Sequence, residues 1–359
     1  MTAVEAAPVG APSAPDRRRV PALGNTDPAL RAAWHPVLRL ADLGDEPVAV
    51  RLLGEAWVVA RLDGEVVVLA DRCPHRLAPL SAGSVDRTGE TDVLRCGYHG
   101  WCFDGGGTCT TIPALGPDAR LPPRSAATTP AAVATHLGLV WVAPDAPRTP
   151  LPPDPLADDD RAAFLAGDLP TITCRAGAGL LVDNFLDMAH FPYVHAATIG
   201  TDEDPVVDPP VVEREGDAAM VVRSSHRFPN REDPEVVAGR RPLLQTRHVT
   251  YRYTAPFACS LRIDYEEAGG SNVITFFVQP VDDETCTIHT SVARDDIDHD
   301  PGRLAAAVAF EEGVVAEDLA LQSAFVELAL PLDLTAEVHT RADRVTVELR
   351  RILADLVGA

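Results

Sequence analysis

The chain has 359 residues, 46% apolar and 23% charged, the composition of a globular protein long enough for two domains. Its net charge of −22 excludes bulk electrostatic attraction to nucleic acid or an anionic membrane as the basis of its function. No lysine occurs, so every fixed positive side chain is arginine, and seven scattered cysteines argue against a secreted disulfide framework.

In chain order, residues 1–28 are rich in Ala and Pro, and their arginines follow that tract. They read as a flexible tail rather than a signal peptide. No window approaches the roughly 18 apolar residues of a membrane span, so a cytoplasmic protein is expected. Residues 29–150 form a first, β-rich domain: "PVAVRLLGEAWVVARLDGEVVVLADR" breaks at Gly54 and Gly64 into successive hairpins, and "HLGLVWVAP" closes the region. Two tight loops interrupt it, one with Cys73-x-His75 and the other with Cys96-x-x-His99. Zinc fingers group their cysteines in one pair and their histidines in another. Here each loop supplies one of each. That suits a [2Fe–2S] cluster with both thiolates on one iron and both imidazoles on the other, a ligand set that raises the reduction potential. Cys102 and Cys109 read as small buried residues nearby, and Trp101 as packing beneath the second loop.

The Pro- and Asp-dense stretch around residue 150 reads as a linker, and residues 151–359 as an α+β second domain. "GLLVDNFLDMAHF" predicts a helix over 179–191 that ends at Pro192. Its spacing puts Asp183, Asp187 and His190 on one face, with His195 returning towards His190. Two histidines and one carboxylate make the facial triad of a non-haem Fe(II) centre, with positions left open for oxygen. Four β-type runs between 247 and 294 predict an antiparallel sheet, and helices are predicted over 303–328 and 341–357. In the first of these, Phe310, Val314, Leu321 and Phe325 form an apolar stripe. Glu312 lies opposite it, Glu311 well off it, and Glu317 and Asp318 flank it; periodicity does not choose between the last two.

"CPHRLAPLSAG" and "CGYHGWCFDGGGTCTTIP" resemble the two cluster loops of the Rieske non-haem iron oxygenases, and "DMAHFPYVH" resembles that family's Asp-x-x-His-x4-His motif. The resemblance implies the terminal oxygenase component, closest to the homotrimeric vanillate demethylase-like monooxygenases. It also implies a helix-grip-like catalytic domain after the Rieske domain. Cys73, His75, Cys96 and His99 would hold the cluster, while His190, His195 and Asp318 would hold the iron. Asp187 would bridge an iron-binding His to a cluster His of the neighbouring subunit. The family's carboxylate helix often continues with Glu and Gln where this chain has Ser323 and Phe325.

Electrons would come from NAD(P)H through a reductase or ferredoxin, and O2 would be the co-substrate. Arg72, Arg76, Arg87 and Arg95, near the cluster loops in sequence, would form a docking patch for an acidic donor. The expected substrate is a small hydrophobic or aromatic compound, held by the sheet, by the helix around Phe185 and Met188, and by the "AATIG" segment. Hydroxylation and O- or N-demethylation fit equally well. N-oxygenation of an amine is an alternative, as is an electron carrier that has lost its mononuclear iron.

Overall fold

A computed structural model describes residues 21–117, 119–156, 161–196, 198, 205–231 and 233–358. The hairpins fall where Gly54 and Gly64 predicted them: Val48–Leu52, Glu55–Leu62 and Glu65–Ala70 form one antiparallel sheet. Ser84–Asp86, Val93–Arg95, Cys102–Phe103 and Cys109–Thr111 form a second sheet that carries the two Cys/His loops. Ala132–His136 and Leu139–Ala143 pair with His35–Arg39 in a third. The first domain is all-β, as expected.

The second domain is built on one eight-stranded sheet. Leu165–Asp168 and Ile172–Arg175 both pair with Thr285–Arg294. Beyond it lie Ser271–Pro280, Ala258–Tyr265, Leu244–Thr254, Ala219–Pro229 and Val211–Glu215, every contact antiparallel. The four expected strands form its centre. The outer strands were missed: "AMVVRSSHRFP" mixes polar residues into its second half, and Leu165–Asp168 and Ile172–Arg175 are only four residues each. Alternate residues of the central strands, among them Val249, Tyr251, Leu261, Ile263, Ile274 and Phe276, face a cavity roofed by helices α1 (Ala178–Leu186) and α3 (Pro301–Gln322). Between these helices in sequence lies the one-turn helix α2 (Phe191–Val194). Asp300 caps α3 by accepting from Gly302 N at 2.7 Å, with Pro301 at its first position. The last helix, α4 (Arg344–Val357), follows a capping box between Thr340 and Asp343. No helix among the described residues is long and apolar enough to cross a membrane.

Three local expectations are corrected. First, residues 21–28 are not tail: Ala22–Leu23 pairs with Leu330–Pro331, and Leu23 is buried; residues 1–20 lie outside the described residues. Second, the helix expected to run to Pro192 stops at Leu186. Asp187 takes an extended backbone there, and its carboxylate accepts from Ala189 N (3.1 Å) and His190 N (3.0 Å), a local bond that competes with the helix. Pro192 instead sits in the first turn of α2, where its missing N–H leaves no bond unmade. Asp183 therefore does not share a face with Asp187 and His190; it forks to Arg350 of α4 at 3.0 and 3.1 Å. Third, the buried face of α3 carries Ala307, Glu311, Val315 and Gln322, while Leu321 and Phe325 are exposed and Phe325 lies beyond the helix. One apolar core runs from Leu23, Leu52 and Trp57 through Leu181 and Val278 to Leu349, crossing the linker at residue 150.

Candidate active site

At one end of the first domain the two Cys/His loops press together. A Cβ on Gly83 would lie 1.9 Å from the Arg95 carbonyl, and one on Gly97 would lie 2.6 Å from that of Ala82, so both positions require glycine. Cys73 N bonds Ala78 O and Cys96 N bonds Trp101 O, each at 2.8 Å, which closes the two loops. Cys73 and Cys96 are buried and interact directly; burial first, and then the neighbouring thiol, push Cys73 up to about 11. The His75 and His99 rings meet edge-on at 4.4 Å, and His75 stacks flat on Trp101 at 4.7 Å. Trp101 is thus half-buried against a candidate ligand rather than simply beneath the loop. His75 Nδ1 is buried with no hydrogen-bond partner. Sulfur beside sulfur, imidazole beside imidazole and an orphaned ring nitrogen fit a two-iron cluster. The iron would displace the protons that burial holds on the thiols. Cys102 and Cys109 are buried, as expected. Tyr98 is exposed, its ring 3.9 Å from that of His99. Of the expected docking arginines, Arg95 is paired to Asp86 and Arg87 to Asp45 and Asp92. Arg72 and Arg76 are exposed, with no carboxylate within 4 Å among the described residues.

In the second domain, His190 and His195 flank α2, and α3 brings Asp318 against both. His190 Nε2 and His195 Nε2 are 3.2 Å apart, and Asp318 Oδ1 is 3.5 and 3.1 Å from them. All three ligand atoms lie within 4.8 Å of one another, the one such group among the described residues. The opposite ring nitrogens are taken. His190 Nδ1 faces Asp187 Oδ2 at 3.0 Å, and His195 Nδ1 faces Glu317 Oε2 at 2.8 Å. A neutral ring that donates from Nδ1 presents a lone pair at Nε2. With a cation bound, two such lone pairs and a carboxylate oxygen would converge on it; without one, protons on the imidazoles bridge them to Asp318 instead.

Burial alone would raise Asp318, yet hydrogen bonds from His190, His195 and Asn184 hold it well below the usual carboxylate range. Burial likewise pulls His190 down, but Asp187 and Asp318 outweigh it and bring the ring up to about 9. Asp187 itself is lowered against burial by His190 and the Ala189 backbone. The donor set fits Fe(II), whose two-histidine, one-carboxylate sites keep open positions.

Sequence reasoning missed the supporting residues. Glu317 accepts from His195 and also from Thr198 Oγ1 at 2.9 Å, and Asn184 bridges Asp318 to Gln322, whose amide donates to it at 3.4 Å. The cavity beside the triad measures about 1240 Å³ with its open mouth included. Phe185, stacked on Phe276 at 4.7 Å, borders it, as do Thr198 and Phe310. Met188 is buried away from it. Of "AATIG", Ala197, Ile199 and Gly200 lie outside the described residues.

Two family models match the chain. The family model "Rieske [2Fe-2S] domain" matches residues 33–132, and "Vanillate O-demethylase oxygenase C-terminal domain" matches residues 174–359. The Pseudomonas putida methylxanthine N3-demethylase NdmB is 30% identical over 331 residues, covering 90% of this chain and 88% of that one. The methylxanthine N1-demethylase NdmA of the same organism is 30% identical over 341 residues, covering 92% and 90%. The structure of NdmA with caffeine superposes with a TM-score of 0.76 at 26% identity, over 91% of each chain.

Proposed function

Since the chain belongs to the Rieske non-haem iron oxygenases as a terminal oxygenase component, we propose that it removes a methyl group from nitrogen or oxygen of a small planar aromatic compound. The observation that carries this reading is the converged His190, His195 and Asp318 donors at the wall of a cavity lined by Phe185, Phe276 and Phe310. It is supported by full-length similarity to two enzymes named as methylxanthine N-demethylases. In this reading His190, His195 and Asp318 hold the mononuclear iron, Cys73 and Cys96 one iron of the cluster, and His75 and His99 the other. The converged donors favour an oxygenase over an electron carrier that lacks the second iron.

Held by His190, His195 and Asp318, iron would supply O2 activation with two electrons from the donor and two protons from water, one oxygen atom ending as a hydroxyl on the methyl carbon and the other in water. The hydroxymethyl group would then leave as formaldehyde as its bond to the heteroatom breaks, and its hydroxyl proton would pass to that heteroatom. The chain's own part is positioning. Asp187 and Glu317 hold the two imidazoles so that both Nε2 atoms face inward. The stacked Phe185–Phe276 pair provides a flat apolar wall for a planar ring and keeps water from it. Arg72 and Arg76 are the remaining candidates for meeting an acidic reductase or ferredoxin. A head-to-tail homotrimer acting in the cytoplasm completes the proposal. It would let the partly exposed Asp187 carboxylate approach a neighbour's His75 or His99.

The test supplies the reduced holoenzyme with a panel of N-methyl and O-methyl aromatics and follows formaldehyde together with the demethylated ring by mass spectrometry. Equal amounts of the two are expected. Products that gain oxygen and keep their methyl groups would replace demethylation by hydroxylation or N-oxygenation.

A further inference from the structure

The cavity wall carries a buried positive charge that the iron site does not use. Arg247, in the Leu244–Thr254 strand, is only 4% exposed and borders the cavity. Its Nε donates to His226 Nε2 at 2.5 Å across the strand pair. That bond needs an acceptor lone pair on a neutral His226, and burial followed by the Arg247 charge lowers His226 to about 3. The guanidinium packs over Phe228 at 4.7 Å and Phe191 at 5.4 Å. No carboxylate among the described residues lies within 4 Å of it, and neither Nη group bonds a described residue. Glu311, on the same cavity, attracts it only at longer range. A buried guanidinium without a contacting anion is costly, and two aromatic faces offset only part of that cost.

We propose that Arg247 is a substrate-positioning residue whose Nη1–Nη2 fork seats a carboxylate at the far end of an aromatic substrate. The proposal rests on the cavity being the substrate site and deepens that reading by naming the substrate's charge. The Phe191 ring neighbours both sites, 5.4 Å from the guanidinium and 4.9 Å from the His190 ring. Arg247, His190, His195 and Asp318 thus line one cavity and share the Phe191 ring as a neighbour of both sites. A ring anchored by its carboxylate at Arg247 would present its opposite substituent to His190, His195 and Asp318. The planar fork matches the two oxygens of a carboxylate, which an ammonium in its place would not.

The experiment measures binding without turnover. Benzoate and its neutral analogue benzamide are titrated calorimetrically into the oxidised holoenzyme, wild type and Arg247→Gln. The wild type is expected to prefer benzoate by roughly ten- to a hundredfold, the effect of hydrogen bonds to a charged group. Arg247→Gln should lose that preference and keep its benzamide affinity, cluster spectrum and iron content. Benzoate bound no better than benzamide by the wild type, or neither bound, overturns the proposal. So does a preference retained in Arg247→Gln, which would mean the iron, not the arginine, holds the carboxylate. If Arg247→Gln fails to fold, Arg247→Lys keeps the charge without the fork; a severalfold drop in preference is expected, and an unchanged one overturns the seat. Because no electrons or oxygen enter, a failed demethylation assay leaves this result independent.

Discussion

Glu317 and Asp318 are adjacent acids that differ wholly in what they touch. Asp318 faces the two Nε2 atoms, and Glu317 grips the far side of His195. Family likeness points to Asp318 as the ligand, with Glu317 as its rival. Helical phase places two neighbouring residues on the same flank, and only the position of His195 separates their tasks. Glu317→Ala should therefore keep the iron ligands yet weaken iron binding about ten- to a hundredfold, checked by metal titration of the apoprotein. Asp187→Asn keeps a local acceptor for the backbone but not a carboxylate for His190. Iron and the visible spectrum should stay, and cluster reoxidation in stopped flow should slow by an order of magnitude or more. Reoxidation at the wild-type rate would remove Asp187 from the path.

Among the elements, the central strands and the closing helix were legible because alternation and helical period survive there over long runs. The end of α1 was not. Pro192 reads as a stop in sequence, but Asp187 had already ended the helix by binding the backbone ahead of it, which freed Pro192 to begin α2. The inward face of α3 was read only in part: Phe310 and Val314 border the cavity, but the buried positions are Ala307, Glu311, Val315 and Gln322, and Leu321 and Phe325 are exposed. Pro192→Ala should accordingly cost no more than about 1 kcal/mol by chemical denaturation and leave iron content unchanged. Gly97→Ala is the contrasting case. Its Cβ would meet the Ala82 carbonyl at 2.6 Å, so the loops must part and the cluster absorption should be lost. An intact Rieske spectrum in that variant would contradict the loop packing.

For the whole molecule, one apolar core joins residues on both sides of the proline-dense stretch near residue 150, where the sequence suggested a linker. Arg350, 2% exposed, ties α4 to α1 through Asp183 and also meets Glu337 at 2.7 Å. Asp183→Ala leaves Glu337 in place, so a loss of about 2 kcal/mol is expected in equilibrium unfolding, with the cluster spectrum unchanged in the folded state. The two sets of donors call for two metal centres in one chain. Iron content and visible absorption of wild type and Asp318→Ala, measured side by side after reconstitution, test this most directly. The wild type should hold about three irons per chain, two of them in the cluster. Asp318→Ala should keep the same absorption, fall to about two irons and lose turnover. Asp318→Ala that retains the third iron and turns over at the wild-type rate would contradict the assignment.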